Sequence, residues 1–289
     1  MHTFTRRADV RAFTTAARAA GQRIGFVPTM GALHAGHLDL VARAVASCDV
    51  VVASIFVNPR QFTNATDLAA DPCAPDEDAA LLAGAGCHAL FLPDAPEMYP
   101  AAPLTTLGFG PLETILEGTH RPGHFGGVGL VVAKLLHLVA PHAAWFGQKD
   151  LQQVAVIRQL VRDLDFDVTV EVAPTVREAD GLAMSSRNRR LTPAERAVAP
   201  ALHRALDAAR TALLRGATAV EAQADGLAVL AAAPAFRVEY FAVVDAHTLQ
   251  PLEPAAPLPP TETAVVTAAH LGAVRLIDNV VLPPALARA

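Results

Sequence analysis

Two histidines three residues apart stand where an apolar segment gives way to a glycine-containing turn. The segment 24–38 reads I-G-F-V-P-T-M-G-A-L-H-A-G-H-L, and it places His34 and His37 at or inside the first turn of a predicted helix. Residues at this spacing share one helix face, with Cβ atoms roughly 5–6 Å apart. The first helical turn also has unpaired amide donors that favour anions. The pair therefore indicates phosphoryl or nucleotidyl chemistry, although ordinary histidines at the edge of a core also show this spacing.

Other polar groups follow apolar segments farther along the chain. Gln61 lies in a turn after one such segment, Lys149 and Asp150 follow another, and residues 185–187 form the polar triplet Ser-Ser-Arg. Lysine is a mobile point charge for phosphate, and hydroxyl and guanidinium groups bind phosphate oxygens through charge-assisted hydrogen bonds. Each group also has an ordinary alternative. Gln61 could be a loop amide, Asp150 a helix cap, and the triplet a common loop.

The elements that must position these groups follow a strand–helix–strand pattern. The run V-V-V-A-S-I-F-V at 50–57 is almost entirely apolar, as a parallel sheet covered on both faces requires. Pro28 is expected to stop the strand that begins at Ile24. Ligands of open α/β sheets bind at the carboxyl ends of the strands. We therefore predict a Rossmann-like α/β fold with a doubly wound parallel sheet.

The rest of the chain predicts further elements of this fold and a second domain. Other strands are expected at 88–92, 143–147 and 167–172. Helices are expected at 9–20 and 67–83, and three more are expected to end near 47, to end at 138 and to begin near 151. The acid-rich helix at 67–83 is interpreted as a surface helix. The long Pro- and Gly-rich connection 93–121 is typical of a lid or docking loop. We place the boundary between domains 1–175 and 176–289, the second a smaller α+β domain that closes over a nucleotide.

Composition excludes several classes of function. The 289 residues are 52% hydrophobic and 18% charged, and the formal net charge of −5 does not suit an extended nucleic-acid surface. Three cysteines without C-x-x-C spacing suit a reducing compartment. The chain shows neither an apolar signal core at its start nor an apolar run near 18 residues. We expect a cytoplasmic protein that contacts neither nucleic acid nor membrane.

Five motifs in order resemble the pantoate–β-alanine ligase family of the H-x-G-H nucleotidylyltransferase superfamily. They are P-T-M-G-A-L-H-A-G-H-L at 28–38, F-V-N-P-R-Q-F at 56–62, R-P-G-H-F at 121–125, F-G-Q-K-D-L-Q-Q at 146–153 and M-S-S-R-N at 184–188. The chain departs from the family pattern at three positions. A family Tyr-Pro-Arg segment is Asp71-Pro72-Cys73 here, and Gln148 replaces a glutamate.

The resemblance implies that ATP drives the condensation of (R)-pantoate with β-alanine through a pantoyl-adenylate. It also implies that the reaction uses Mg²⁺ and that the enzyme is a homodimer. Its catalytic residues would be His34, His37, Lys149 and Arg187, and its pantoate and β-alanine contacts Asn58, Gln61 and Gln153. Arg121 and His124 of the third motif are weaker candidates. The implied ATP-binding residues are Met30, Gly31, Ala32, Leu33, His34, Ala35, Gly36, His37, Gly147, Gln148, Lys149, Asp150, Val176, Met184, Ser185, Ser186 and Arg187.

Three other functions remain open from the sequence. Another nucleotidylyltransferase would transfer AMP or CMP to a phosphate-bearing acceptor and stop after one step. A tRNA synthetase would need an anticodon domain and a basic surface, neither of which the sequence shows. A nucleotide-binding sensor would keep the fold without turnover. Pyrophosphate release that requires both ATP and pantoate, followed by AMP release with β-alanine, separates all of them.

Overall fold

The computed structural model describes residues 1–62, 74–253, 259 and 261–284. The departures at Asp71 and Cys73 lie outside these residues. The chain divides into two compact units, here called unit 1 and unit 2. Unit 1 comprises Met1–Thr114, Gly118–Gly147 and Val156–Pro174, and unit 2 comprises Ile115–Glu117, Gln148–Ala155 and Thr175–Ala289.

Unit 1 is built on a parallel sheet of six described strands in the order β1-β4-β3-β2-β5-β6. The strands are β1 (His2–Phe4), β2 (Ile24–Thr29), β3 (Val50–Ile55), β4 (Ala89–Phe91), β5 (Ala143–Gly147) and β6 (Thr169–Ala173). Every residue of β3 is buried, as its apolar sequence predicts for a sheet covered on both faces. The strand order reverses between β2 and β5, so the carboxyl ends of these two strands form the switch point where ligands of such sheets bind.

Helices connect these strands and continue into unit 2. They are α1 (Arg7–Ala19), α2 (Ala35–Ser47), α3 (Pro75–Gly84), α4 (Ala95–Met98), α5 (Glu117–His120), α6 (His124–Val139), α7 (Leu151–Asp163), α8 (Pro193–Val198), α9 (Ala201–Leu214) and α10 (Ala219–Ala231). Short 3-10 helices lie at Pro59–Gln61, Gly110–Glu113, Gln148–Asp150 and Ser186–Arg190. The predicted lid at 93–121 thus contains short helices. In the described part of the chain, no helix is long and apolar enough to cross a membrane.

Pro28 does not stop β2, contrary to the sequence-based expectation. The strand continues to Thr29 because Pro28 still aligns with Ser54 of β3. The pairing of β2 with β5 already ends at Phe26. The carbonyl of Ile24 accepts a hydrogen bond from His142, so alternate residues of β2 from Ile24 onward face β5. The nitrogen of Pro28 therefore faces the β5 side, beyond the last residue of β2 that pairs with β5. Because no partner is needed there, the lack of an N–H group at Pro28 removes no hydrogen bond from the sheet.

Unit 2 combines helices with an antiparallel sheet in the order β7-β8-β9. Its strands are β7 (Phe236–Asp245), β8 (Thr263–Leu271) and β9 (Val274–Leu282). An apolar core joins α9 to this sheet through side chains such as Leu202, Leu206, Val265 and Leu271. The α/β fold with a Rossmann-like parallel sheet and a smaller α+β part is therefore confirmed. Thr192 and Glu195 form a capping box at the start of α8.

Candidate active site

The histidine pair lies at the start of α2, where the two side chains form a reciprocal cap. His34 is the N-cap residue, and its Nδ1 accepts a hydrogen bond from the Gly36 amide at 3.1 Å. The Nδ1 of His37 accepts from the His34 amide at 3.3 Å. The two rings are 4.1 Å apart between centroids and half-buried. Because each Nδ1 accepts a hydrogen bond, each ring carries its proton on Nε2 and can donate from that atom.

The turn between β2 and α2 is shaped by left-handed backbone and by a buried carboxylate. Gly31 and Ala32 have φ values of +96° and +50°. The amides of Ala32 and Leu33 each donate to the Asp78 carboxylate at 2.8 Å. Asp78 lies on α3 and is 2% exposed, so the interpretation of its segment as a surface helix was wrong at this residue.

The occupied amides change the expected anion site. We expected the outward N–H groups of this turn to bind phosphate, but those of Ala32 and Leu33 are engaged by Asp78. Ala32 and Leu33 can meet a nucleotide only through other atoms. The hydrogen bonds to Nδ1 orient the rings of His34 and His37 and place the N–H group of each ring on Nε2.

A second polar group of unit 1 lies at the carboxyl end of β3. Asn58 and Gln61 are 1% and 7% exposed. The Nδ2 of Asn58 donates to Gln61 Oε1 at 3.2 Å, and Gln61 Nε2 donates to the thioether of Met30 at 2.7 Å. This places Gln61 beside the histidine-bearing turn. The contact of Met30 with ATP that the resemblance implies stays a prediction.

His124 and Arg121 of the third motif support this group. The Nδ1 of the buried His124 lies 2.8 Å from the Gln61 carbonyl, and Arg121 lies 3.1 Å from His124 Nε2. Since guanidinium has only donors, Nε2 accepts and Nδ1 carries the proton that is donated to Gln61. His124 therefore fixes the backbone of Gln61. This role differs from the ligand contact considered from the sequence.

Unit 2 contains a cleft. Its charged and polar lining residues are Lys149, Ser185, Arg187, Asn188, Arg275 and the acidic Asp278, and its apolar lining residues are Leu182, Ala183, Leu202, Leu276 and Ile277. The Lys149 ammonium is 3.7 Å from Asp150 Oδ1. Ser185 caps the 3-10 helix that follows it, because its hydroxyl accepts from the Arg187 amide at 3.3 Å. Three of the predicted ATP-binding residues, Lys149, Ser185 and Arg187, thus share one cleft.

Asn279 holds the turn that carries Lys149, and sequence reasoning missed it. Its Nδ2 donates to the carbonyls of Gln148 and Lys149, both at 2.9 Å. Its Oδ1 accepts from Gln148 Nε2 at 3.3 Å. Asn279 is 2% exposed, so these bonds are protected from water. Gln148, where the family resemblance leads us to expect glutamate, therefore has a matched partner in this chain.

Two ion pairs stabilise the surroundings of this cleft. Arg177 donates to both oxygens of Asp278, at 2.6 and 3.0 Å, and its Nη1 also donates to the carbonyl of Gly181 at 3.1 Å. Arg275 donates two hydrogen bonds to Glu117, at 2.8 and 2.6 Å. The hydroxyl of Tyr240 also donates to Glu117, at 2.7 Å, and burial together with the nearby carboxylate raises the pKa of Tyr240. Sequence reasoning found none of these pairs, since their partners are about a hundred residues or more apart.

The remaining predicted residues range from buried to exposed. Gln152 is buried, and its side chain bonds both the Glu117 amide and the Ile115 carbonyl at 2.9 Å. Gln153, one position on, is half-buried. The Met184 amide donates to the Val176 carbonyl at 3.0 Å. Gly147, Val176, Met184 and Ser186 are half-buried, whereas Ala35 is exposed.

Comparison with known proteins identifies the family. The family model described as pantoate-beta-alanine ligase matches residues 2–281. The chain belongs to the pantoate-beta-alanine ligase family. A pantothenate synthetase of Porphyromonas gingivalis is 48% identical over 282 residues, covering 97% of this chain and 99% of that protein. One from Acidobacterium capsulatum is 53% identical over 260 residues, covering 90% and 86%. The resemblance drawn from the five motifs is confirmed, and the chain is an enzyme of the ligase class.

Solved structures of the same family have the same fold. Pantothenate synthetase from Thermus thermophilus is 45% identical, with a TM-score of 0.90 over 98% of this chain and 100% of that one. The pantoate-beta-alanine ligase of Francisella tularensis, determined in complex with beta-gamma ATP and beta-alanine, is 33% identical with a TM-score of 0.78 over 97% of each chain. Full-length coverage shows that both units belong to the family fold.

Proposed function

We propose that this ligase activates (R)-pantoate with ATP and transfers the pantoyl group to β-alanine. A carboxylate and an amine alone form a salt, because oxide is an impossibly poor leaving group. In the first step a pantoate carboxylate oxygen attacks the α-phosphorus of ATP, and the bond to pyrophosphate breaks. In the second step the β-alanine amine attacks the acyl carbon, AMP leaves and the amine loses a proton. The Francisella tularensis complex with beta-gamma ATP and beta-alanine supports this choice of substrates.

The observation that carries the proposal is the pair of Nε2–H donors at the start of α2. Both Nδ1 atoms accept hydrogen bonds from backbone amides, at 3.1 and 3.3 Å, and this fixes the orientation of both rings with the N–H group on Nε2. Charge grows on the nonbridging and leaving oxygens during phosphoryl transfer, and aimed donors lower the barrier at these atoms. We assign His34 and His37 to the α- and β-phosphates, with no role for the amides of Ala32 and Leu33.

The cleft of unit 2 supplies the cations for the same reaction. We assign Lys149 to the developing charge, and Ser185, Ser186 and Arg187 to the departing pyrophosphate. Gln61 and Gln153 would bind pantoate. The proposal also keeps the two domains expected from the sequence, with residues 1–175 binding ATP and pantoate and residues 176–289 closing over the nucleotide. Positioning and electrostatics then supply most of the rate enhancement.

The proposal also includes Mg²⁺, a homodimer and a cytoplasmic location. Among the described residues, no cluster of three His, Cys, Asp or Glu side chains is arranged to hold a metal ion. Mg²⁺ enters the proposal as the companion of the ATP phosphates, whose oxygens are its usual ligands. The homodimer follows from family resemblance alone, and sedimentation velocity at micromolar concentration would test it.

The experiment that tests the function separates the two steps. Purified enzyme is incubated with ATP and Mg²⁺, with and without (R)-pantoate, and pyrophosphate is measured. We expect pyrophosphate only with pantoate, and AMP together with pantothenate only after β-alanine is added. Pyrophosphate formed with a phosphate-bearing acceptor in place of pantoate would indicate another nucleotidylyltransferase. Binding of ATP without any turnover would indicate a sensor.

A further inference from the structure

Asn58, which the sequence suggested as a substrate contact, has its side-chain amide fully engaged by protein groups. Its Nδ2 donates to Gln61 Oε1 and to the Gly127 carbonyl, at 3.2 and 3.1 Å. Its Oδ1 accepts from the Arg60 amide at 3.3 Å and from the Tyr99 hydroxyl at 3.0 Å. An amide side chain has two donor hydrogens and two acceptor lone pairs. All of them are used, and the residue is 1% exposed.

Hydrogen bonds to backbone groups determine which atom of the Asn58 side-chain amide is Oδ1 and which is Nδ2. The Arg60 N–H can only donate, so the atom it meets is Oδ1. The Gly127 carbonyl can only accept, so the atom facing it is Nδ2. The Tyr99 hydroxyl must then donate to Oδ1, and the atom of Gln61 that faces Nδ2 must be Oε1. The orientation of the Gln61 amide is thereby determined by hydrogen bonds to backbone groups.

This orientation decides what Gln61 offers to a ligand. With Oε1 facing Asn58, its other end is Nε2, a donor. Nε2 contacts the Met30 thioether at 2.7 Å. Sulfur in a thioether is a weak acceptor, so an oxygen of a hydroxy acid can replace it at little cost. Gln61 therefore presents N–H, and it selects acceptor atoms over donors.

Tyr99 lies at the outer end of this chain of hydrogen bonds. Burial raises the pKa of Tyr99 to about 12, although Arg60 opposes the rise, so the hydroxyl remains a donor at neutral pH. The Lys134 ammonium lies 5.4 Å from the centre of the Tyr99 ring, at cation–π distance. The position of the ring is thus held from one side while its hydroxyl bonds Asn58.

We propose that Tyr99 is a positioning residue for substrate selection: through Asn58 it holds the Gln61 amide with N–H toward an acceptor oxygen of the hydroxy acid. Before the hydroxy acid binds, the Met30 thioether occupies the position that this oxygen would take. Asn58 acts on the substrate through Gln61. This inference rests on the proposed function, and it adds Tyr99 and the direction of the hydrogen bond.

The first test removes only the Tyr99 hydroxyl. One hydrogen bond contributes about 0.5–1.5 kcal/mol, so we expect Tyr99→Phe to raise the pantoate KM about three- to tenfold. The KM values for ATP and β-alanine and the kcat should change less than twofold. The matched control is Tyr240→Phe, which removes the hydroxyl of the chain's other tyrosine. An equal rise in pantoate KM in both variants, or in neither, would overturn the proposal.

A double-mutant cycle tests whether Tyr99 acts on Gln61 through the hydrogen bonds of Asn58, here called the relay, or only through packing. In an Asn58→Ala background the acceptor for the Tyr99 hydroxyl is gone, so adding Tyr99→Phe should leave the pantoate KM within twofold of the single variant. Additive effects of the two substitutions would mean that Tyr99 acts by another route.

The direction of the Gln61 hydrogen bond is tested by comparing two substitutions. Gln61→Glu keeps the shape but offers only acceptors, and its charge repels a carboxylate substrate. We expect Gln61→Glu to raise the pantoate KM at least as much as Gln61→Ala, and by tenfold or more. Better binding by Gln61→Glu than by Gln61→Ala would show that Gln61 receives a hydrogen bond from the substrate.

A measurement without substrate separates this inference from the proposed function. The side-chain amide signals of Asn58 and Gln61 in a ¹⁵N–¹H spectrum should move in Tyr99→Phe and stay in place in Tyr240→Phe. Unmoved signals would refute the relay even in a fully active enzyme. Failure of the wild-type enzyme to release pyrophosphate with pantoate would refute the function while leaving the relay to be judged on these spectra.

Discussion

The two units of this ligase hold their functional groups by different physical means. In unit 1 the named donors and acceptors are mainly neutral, and hydrogen bonds to backbone groups orient His34, His37, Asn58 and Gln61. In unit 2 the cleft carries Lys149, Arg187 and Arg275, and carboxylates lie near two of them, Asp150 beside Lys149 and Glu117 beside Arg275. Neutral groups discriminate by geometry, whereas cations attract any polyanion. In the proposed function, unit 1 aims the histidine donors and holds Gln61 for the hydroxy acid, whereas unit 2 supplies the cations for the phosphate oxygens together with Gln153.

The largest effects on kcat are expected from the residues that the proposed function assigns to the transition state. Replacing His37 or Lys149 by alanine should lower kcat by about 10²–10³, the scale of losing one aimed donor at a charged transition state. Circular dichroism should be unchanged. His247→Ala, at a side chain 51% exposed in unit 2, is the control and should keep full activity. A fall of less than threefold at His37 or Lys149 would refute the role assigned to that residue.

Close packing in unit 1 should be the next most sensitive feature. A Cβ on Gly127 would lie 2.3 Å from the Arg60 carbonyl oxygen, so Gly127→Ala must push α6 away from the turn that carries Gln61. We expect the pantoate kcat/KM to fall about 10- to 100-fold and the free energy of unfolding to fall by about 1–3 kcal/mol, as overpacking usually costs.

The control for this substitution is Gly84→Ala, because a Cβ at Gly84 would meet no atom within 4 Å. That variant should leave activity unchanged and stability unchanged or slightly higher. Unaltered pantoate kinetics in Gly127→Ala would show that the neutral groups of unit 1 tolerate displacement, and the contrast between the units would weaken.

A departure of this chain from its family provides a test in unit 2. Gln148→Glu would place a carboxylate against Asn279 Oδ1, and Asn279 cannot turn its amide because Nδ2 serves two carbonyls. The turn that carries Lys149 should loosen, and we expect kcat/KM for ATP to fall about three- to tenfold, the scale of one or two hydrogen bonds. Gln148→Ala removes the bond without repulsion and should lose less. A glutamate variant as active as wild type would show that Asn279 does not position Lys149.

The smallest expected effect is a pH dependence of stability. Burial, reinforced by Arg177, lowers the pKa of His203, which lies 4.0 Å from Asp278 in unit 2. The unfolded chain then binds more protons than the folded chain near the ordinary histidine pKa, so stability rises with pH and falls as pH drops below that value. Burial also lowers the pKa of His142 in unit 1, with the same sign.

Urea unfolding between pH 7.5 and 5.5 measures this dependence. The free energy of unfolding should fall more steeply in the wild-type protein than in His203→Gln. An identical slope in the two proteins would mean that His203 is as readily protonated in the folded state as in the unfolded state. A comparison with His142→Gln would show whether the two units contribute equally.

Local patterns in the sequence were sufficient for most of the fold and for the position of the histidine pair. The apolar runs predicted β2, β3 and β5, and Gly31 indicated the turn before α2, whereas Gly36 lies in the first turn of α2 itself. These features depend on neighbours within a few residues, where periodicity, glycine and capping residues act directly. The chain's family membership was also evident from the order of its motifs.

Contacts between distant segments decided the rest. Asp78 occupies amides 45 and 46 residues away, Tyr99 bonds Asn58 across 41 residues, and Asn279 holds the Lys149 turn across 130. A carboxylate in an acid-rich helix is predicted to lie on the surface, because the sequence does not show that a distant turn will cover it. Likewise, the sequence does not show which end of a side-chain amide is left for a ligand until its hydrogen-bond partners are known. The sequence alone thus determined which groups are present and which elements carry them. Only the tertiary structure decided which donors are already used and which remain for substrate, because burial and hydrogen-bond direction arise from packing.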